Sequence, residues 1–440
     1  MALGGGTFIS QNKILPGAYI NFISVSKSTA NLSDRGVAAL AIPMSWGKND
    51  EVFTVTLEDL QKKCKSIFGY DYTAEEMKGI RDLFINAVKC HFYKLNNDAV
   101  KAKTSDEFAE AKYSGSCGNK IKIVISNVVS DDTLYNIETY YDNVLVDEQK
   151  NVTTENIKNN DYVNFDVSKF PGVTTGINLL NGDDGDITAN DYQKFLDAIE
   201  SYSFNTLGCL STDDVIKQLY VSFTKRMRDD AGVKFQTVLY KYNNADYEGV
   251  ISVENELLNE TDDSKKSSLV YYVLGAEAGC AVNKTLTNTK YTGEFEINTL
   301  YTQTELEDAL LKGKLIFHNV GKEVRILEDI NTFVSVTSEK STDFSNNQTI
   351  RVLDQIANDI AALFANKYLG KIPNDKSGRI SLWNDIVKHH KELENIGAIE
   401  SFNRDNLIVE QGDTKKSVLV ADYITPVNAM AQLYMNVIVQ

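Results

Sequence analysis

The sequence is poor in the side chains on which most chemistry depends. Its 440 residues include four histidines (His91, His318, His389, His390) and five cysteines (Cys64, Cys90, Cys117, Cys209, Cys280). The cysteines are odd in number, widely spread and never form a C-x-x-C pair. That excludes a disulfide framework or a zinc site and reads as reduced, buried structural thiols in a cytoplasmic product. There is no G-x-x-x-x-G-K-[ST] phosphate loop, no G-x-G-x-x-G fingerprint and no G-x-S-x-G nucleophile elbow. The nearest string, Ser114-Gly115-Ser116-Cys117-Gly118, has the wrong spacing. Adjacent residues on a helix point about 100° apart. His389 and His390 therefore suit a single metal poorly and are expected on a solvated helix surface. No catalytic residue, cofactor or metal site is expected.

Positive charge is scarce too. With 45 basic and 61 acidic residues the net charge is −16, and no basic block of five or more residues occurs. Phosphate backbones and anionic membrane surfaces would repel such a chain, so neither nucleic acid nor membrane is an expected partner. Residues 1–6, MALGGG, lack the basic patch and apolar core of a signal peptide, and no apolar run approaches the ~20 residues of a membrane span.

What is present is ordinary globular material, 42% hydrophobic and 24% charged, in a chain long enough for about three domains. Residues 1–30 do not read as a domain. A glycine triplet leads to Pro16-Gly17 and a β-prone run that includes Tyr19, Ile20, Asn21, Phe22 and Ile23. Apolar side chains on both sides suggest a strand covered on two faces. It is either a first strand tucked into its own sheet or an arm added to another subunit's sheet. Residues 31–90 read as a small α+β domain, with a helix opened by a Thr73–Glu76 capping box and an apolar face of Leu83, Phe84, Ala87 and Val88. Residues 91–178 read as a small β-sandwich-like outer domain. Ile121, Ile123 and Ile125 alternate with Lys122, Val124 and Ser126, and Asp142-Asn143 marks a hairpin.

From 179 to 335 helices and strands alternate, as in an α/β layer with a largely parallel sheet. The string Asn181-Gly182-Asp183-Asp184-Gly185-Asp186 imitates a calcium loop. In register, however, Leu180 and Gly182 fall where carboxylates are required, so it reads as a turn before a helix at Asn190. Gly275 and Gly279 have the spacing of a close helix contact. Residues 336–440 read as an α+β domain of two amphipathic helices, a hairpin around Gln411-Gly412-Asp413, and a terminal strand after Pro426. In that strand Ala431, Leu433, Met435, Val437 and Val439 share one face, with Gln432, Tyr434 and Asn436 on the other. A strongly patterned strand at a chain end needs a partner, because unpaired termini fray.

Several segments together resemble the tail sheath proteins of contractile phages and phage-derived particles of Gram-positive bacteria, R-type bacteriocins included. They are residues 2–8 (ALGGGTF), 13–22 (KILPGAYINF), 33–36 (SDRG), 275–284 (GAEAGCAVNK), 288–294 (NTKYTGE), 422–430 (DYITPVNAM) and 434–437 (YMNV). The resemblance implies α/β and α+β multidomain architecture: a small outer β-domain, a central subtilisin-like but non-catalytic α/β domain, and a C-terminal α+β domain with exchanged terminal strands. It implies a non-enzymatic structural subunit, assembled in the bacterial host cytoplasm as stacked hexameric rings. Partners would be further copies of the chain, the inner tail tube, the baseplate and the tail terminator. Contraction of the lattice would drive the tube through a cell envelope. By the same resemblance the strands around Tyr19, Ile20, Asn21, Phe22 and Ile23 and around Leu433, Tyr434, Met435, Asn436 and Val437 are exchanged between subunits. The competing readings are a hydrolase, which needs a pocket where a histidine meets serine and aspartate, and a calcium-binding surface protein, which needs a secretion signal.

Overall fold

The structure, a computed structural model, describes residues 32–258 and 260–439. It divides into two compact units. The larger comprises Ser33–Asn358, Ile396–Glu400 and Thr425–Gln440; the smaller is built by Asp359–Asn395 and Ser401–Ile424.

At the centre of the larger unit, strand Val37–Ile42 lies between Thr206–Gly208 and Lys89–Lys94, parallel to both. Gln236–Tyr240, Val250–Val253 and Lys314–Leu315 continue the sheet in parallel on one side. Val52–Thr56 closes the other side antiparallel, making seven strands. The period of two divides the central strand between two cores. Ala38, Leu40 and Ile42 pack with the helix Leu269–Gly279, while Ala39 and Ala41 pack with Phe195, Leu196 and Tyr220. Burial on both faces is what parallel strands require.

The segments expected as separate domains, 31–90 and 179–335, thus share one sheet. Lys89–Lys94 also belongs to it, so the outer β-region starts after that strand. Pairing between strands more than a hundred residues apart leaves no trace in local periodicity. The Thr73–Glu76 capping box is not formed either. The turn Glu75–Met77 has Ala74 as an uncapped N-cap, and the helix proper is Lys78–Phe84. Arg81 explains this: its guanidinium donates to the carbonyls of Tyr72 and Ala74 at 2.6 and 2.7 Å, fixing that backbone as a turn. Val88, expected on the apolar face, is exposed.

Leu269–Gly279 is buried almost throughout. A Cβ added at Gly275 would stand 2.1 Å from the Leu83 carbonyl oxygen, and one at Gly279 2.1 Å from that of Asn86. The glycine pair is therefore the contact itself. In the outer region Ile121, Ile123 and Ile125 are fully buried in a four-stranded antiparallel sheet around Trp46, Phe108 and Tyr141. Asp142 and Asn143, at φ 50° and 61°, form its tight hairpin turn. A two-stranded pair, Ala109–Ala111 with Val163–Phe165, stands where a second sandwich sheet was expected. The aspartate loop ties elements together: Asp184 accepts from the Ser45 hydroxyl (2.9 Å) and from the Ser116 amide (2.7 Å) and hydroxyl (2.9 Å). All five cysteines are free and buried.

A buried polar cluster centres on Arg351 inside the larger unit. Arg351 reaches Glu277 and Asp329 at 2.5 Å each, and Asn347 donates to the same two carboxylates. Burial alone would push the Asp329 carboxyl up, but Arg351 and the surrounding donors override it and hold it at about 2. Glu277 carries the opposite outcome: burial, and Asp329 beside it, push it well above the usual carboxylate range.

Candidate assembly site

The carboxy-terminal segment of the larger unit starts from a fixed point. Thr425 and Pro426 pair antiparallel with Glu400 and Ile399, and the Val427 amide donates to the Ala398 carbonyl at 3.0 Å. The buried side chain of Gln348 then grips the chain twice. Its amide nitrogen donates to the Val427 carbonyl (3.0 Å) and its oxygen accepts from the Ala429 amide (3.1 Å). Thr349 donates to Asn428 at 3.1 Å.

Beyond Ala429 the expected strand is absent: no regular structure is assigned from 427 to 439. Leu433, Tyr434, Met435 and Val437 are 85, 87, 71 and 72% exposed. Both faces of the alternating pattern face solvent, which burial of one face alone would not predict. The physical reason lies in the balance of terms. Ordering ten residues costs on the order of 10–20 kcal/mol of backbone entropy. Burying six large apolar side chains returns roughly 1.5–3 kcal/mol each, and only where a sheet edge supplies main-chain partners. The other predicted arm, Tyr19, Ile20, Asn21, Phe22 and Ile23, lies outside the described residues.

The smaller unit carries such an edge. Strands Ile408–Gln411 and Val418–Ala421 form a two-stranded antiparallel sheet, in register Ile408 with Ala421 and Gln411 with Val418. Among the described residues no further strand pairs with either, and Ile408, Leu419 and Val420 are exposed. An isolated two-stranded sheet is marginal in water; this one rests on the helix Lys376–Asn395. Leu382, Ile386 and Val387 of that helix form the core with Leu363, Tyr368 and Leu407, and the Trp383 indole donates to the Leu407 carbonyl at 2.9 Å. Beside the first strand a groove of about 530 Å³ is lined by Lys376, Arg379, Ile380, Trp383, Val409 and Glu410. A free strand edge with apolar side chains beside it is the feature to which an extended segment can add.

The histidines are not where they were expected. His389 and His390 are buried within the smaller unit. His389 bonds Asp359 at 2.9 Å and His390 bonds Asp422 at 2.7 Å. The spacing of Leu382, Ile386, His389, His390 and Leu393 was the available signal, since it puts both imidazoles on the helix's apolar stripe. His91 is buried against Thr54, and burial pulls its pKa down; the part-buried His318 is lowered likewise by burial and by Arg325.

Residues 185–332 match the model of the phage tail sheath protein central domain, and residues 339–440 that of the phage tail sheath C-terminal domain. The chain is 30% identical over 471 residues to the phage-like element PBSX protein XkdK of Bacillus subtilis, covering 99% of each. Among solved structures, the sheath tail protein of Desulfitobacterium hafniense is 31% identical with a TM-score of 0.81, over 94% of this chain and 97% of that one. The sheath tail protein Lin1278 of Listeria innocua is 28% identical with a TM-score of 0.78, over 91% and 94%. Among the described residues, no helix is long and apolar enough to cross a membrane.

Proposed function

The chain belongs to the phage tail sheath family, and from that premise we propose that it builds a contractile sheath by exchanging terminal strands between copies of itself. Subunits stack as six-membered rings around an inner tube, between a baseplate and a tail terminator. Contraction of this lattice drives the tube through the target envelope. The role is structural: the α/β layer, read as subtilisin-like in fold, serves as scaffold and performs no catalysis. Assembly takes place in the bacterial host cytoplasm.

The observation that carries this reading is the exposed segment 430–439, apolar on alternate positions and held at its root by Gln348. Its acceptor in a neighbouring copy is the open hairpin Ile408–Gln411 and Val418–Ala421, beside the groove at Trp383. The strand around Tyr19–Ile23 joins the same kind of edge. Main-chain bonds of an augmented sheet hold whatever the surrounding side chains do, so domains can move as bodies while the links persist. Energy for contraction is stored at assembly, and no nucleotide is consumed.

Negative-stain microscopy of the full chain and of a truncation ending at Ala429, each with and without inner tube protein, tests the reading. Tubes from the full chain, and only folded, dispersed truncated subunits, are expected. Normal tubes from the truncation would refute the strand link, and ATP hydrolysis coupled to contraction would refute the stored-energy mechanism.

A further inference from the structure

The four groups Asp359, His389, His390 and Asp422 form a continuous chain of hydrogen bonds inside the smaller unit. His389 Nε2 lies 2.9 Å from Asp359 Oδ2, the two Nδ1 atoms lie 3.3 Å apart, and His390 Nε2 lies 2.7 Å from Asp422 Oδ2. Each of these three bonds needs one proton. Two neutral imidazoles bring one proton apiece and two carboxylates bring none. The third proton must come from solvent. With both Nε2 atoms donating to carboxylates, the Nδ1–Nδ1 bond forms only when one ring carries both protons and the other one.

We infer that His389 and His390 share a single extra proton between two carboxylates, making a two-sided pH sensor at the base of the hairpin Ile408–Gln411 and Val418–Ala421. Remove that proton and two Nδ1 lone pairs face each other, with one bond of the three lost. Add another and two imidazolium N–H groups meet at the same distance. Both departures loosen Asp422, which directly follows Val418–Ala421 and tethers that strand's end to the helix Lys376–Asn395. Among the described residues, Asp359, Asp422 and the Phe402 ring, 5.1 Å from His390, flank the pair. On its own helix Lys388 and Lys391 are exposed, Lys388 pairs with Glu392, and Glu394 accepts from the Phe402 amide. Burial of both rings makes the proton count matter, because an unmade bond there has no water to replace it.

The test is nitrogen NMR of the full chain labelled with ¹⁵N-histidine, near neutral pH, using His318→Gln and His91→Gln to assign the remaining signals. One doubly protonated ring and one singly protonated ring, coupled through their Nδ1 atoms, are expected; the coupling vanishes in Asp422→Asn and in His390→Gln. Two neutral rings with bare Nδ1 atoms, two cationic rings, or two rings titrating independently would each overturn the inference. Melting of wild type against Asp422→Asn across pH provides a second readout. The wild-type advantage should pass through a maximum and shrink on both sides, and a flat or one-sided difference also overturns it.

Discussion

Arg351 Nη2 stands 2.5 Å from Asp329 Oδ2, with the two side chains 1% and 0% exposed. The same guanidinium reaches Glu277, so one cation serves two buried carboxylates. A buried pair adds little beyond a well-packed apolar replacement, but removing one partner strands the other's charge. Arg351→Ala should therefore destabilise the folded chain by about 3–5 kcal/mol, read from urea unfolding. A loss under about 1 kcal/mol would mean that Asp329 carries no charge for Arg351 to offset.

The pH dependence follows from the depressed Asp329 carboxyl. A carboxylate held at about 2 when folded and near 3.9 when unfolded contributes stability that is fully present above the unfolded value. That contribution fades as pH falls through the folded one. Asp329→Asn should cost on the order of 2 kcal/mol at pH 7, and the gap should narrow between about pH 4 and pH 2. A gap that widens toward acid would contradict the assignment.

Gly275→Ala should be among the most damaging single-atom additions in the chain. The new methyl would lie 2.1 Å from the backbone oxygen of Leu83, which cannot rotate away as a side chain would. Overpacking of this kind costs about 1–3 kcal/mol. Gly172→Ala has nothing within 4 Å, but its φ of 86° adds strain of its own. Gly275 is helical and carries no such strain, so its melting shift reads the collision alone and that of Gly172→Ala the backbone; an unchanged melting temperature in Gly275→Ala would mean that the contact opens without cost.

Leu433→Lys, Met435→Lys and Val437→Lys, combined, change one face of a segment that touches little of its own subunit. Each residue is at least 71% exposed, so the melting temperature of the dispersed chain should stay unchanged. Assembly into tubes, followed by light scattering, should be lost. Tubes forming at the wild-type rate would move the assembly contacts elsewhere.

Much of the fold was legible where a residue's partner is near in sequence or its face is fixed by periodicity. The alternation at Ile121, Ile123 and Ile125, the Asp142-Asn143 turn and the Gly275–Gly279 contact all behave as their patterns require. Thr73 failed because the turn's N-cap falls one residue later, at Ala74, whose methyl side chain accepts no bond, while Arg81 holds the carbonyls of Tyr72 and Ala74 on either side. The merged sheet failed because Ala38 pairs with Thr206 and Cys90, and no local pattern encodes those distances. His389 and His390 failed because polarity was weighed above position: their polar atoms are matched by aspartates 30 and 32 residues away in the chain. The terminal pattern at 431–439 was readable, yet among the described residues no strand pairs with it.

The double grip of Gln348 on Val427 and Ala429 also works as the fixed end of a ruler. The ten residues from Met430 to Val439 span at most ~33 Å when fully extended, at about 3.3 Å per residue. Any sheet that receives the segment must lie within that radius of Gln348. A lattice joined this way can rotate and compress inside that limit, and its largest permitted separation is set by the number of residues between the clamp and the stretch that pairs.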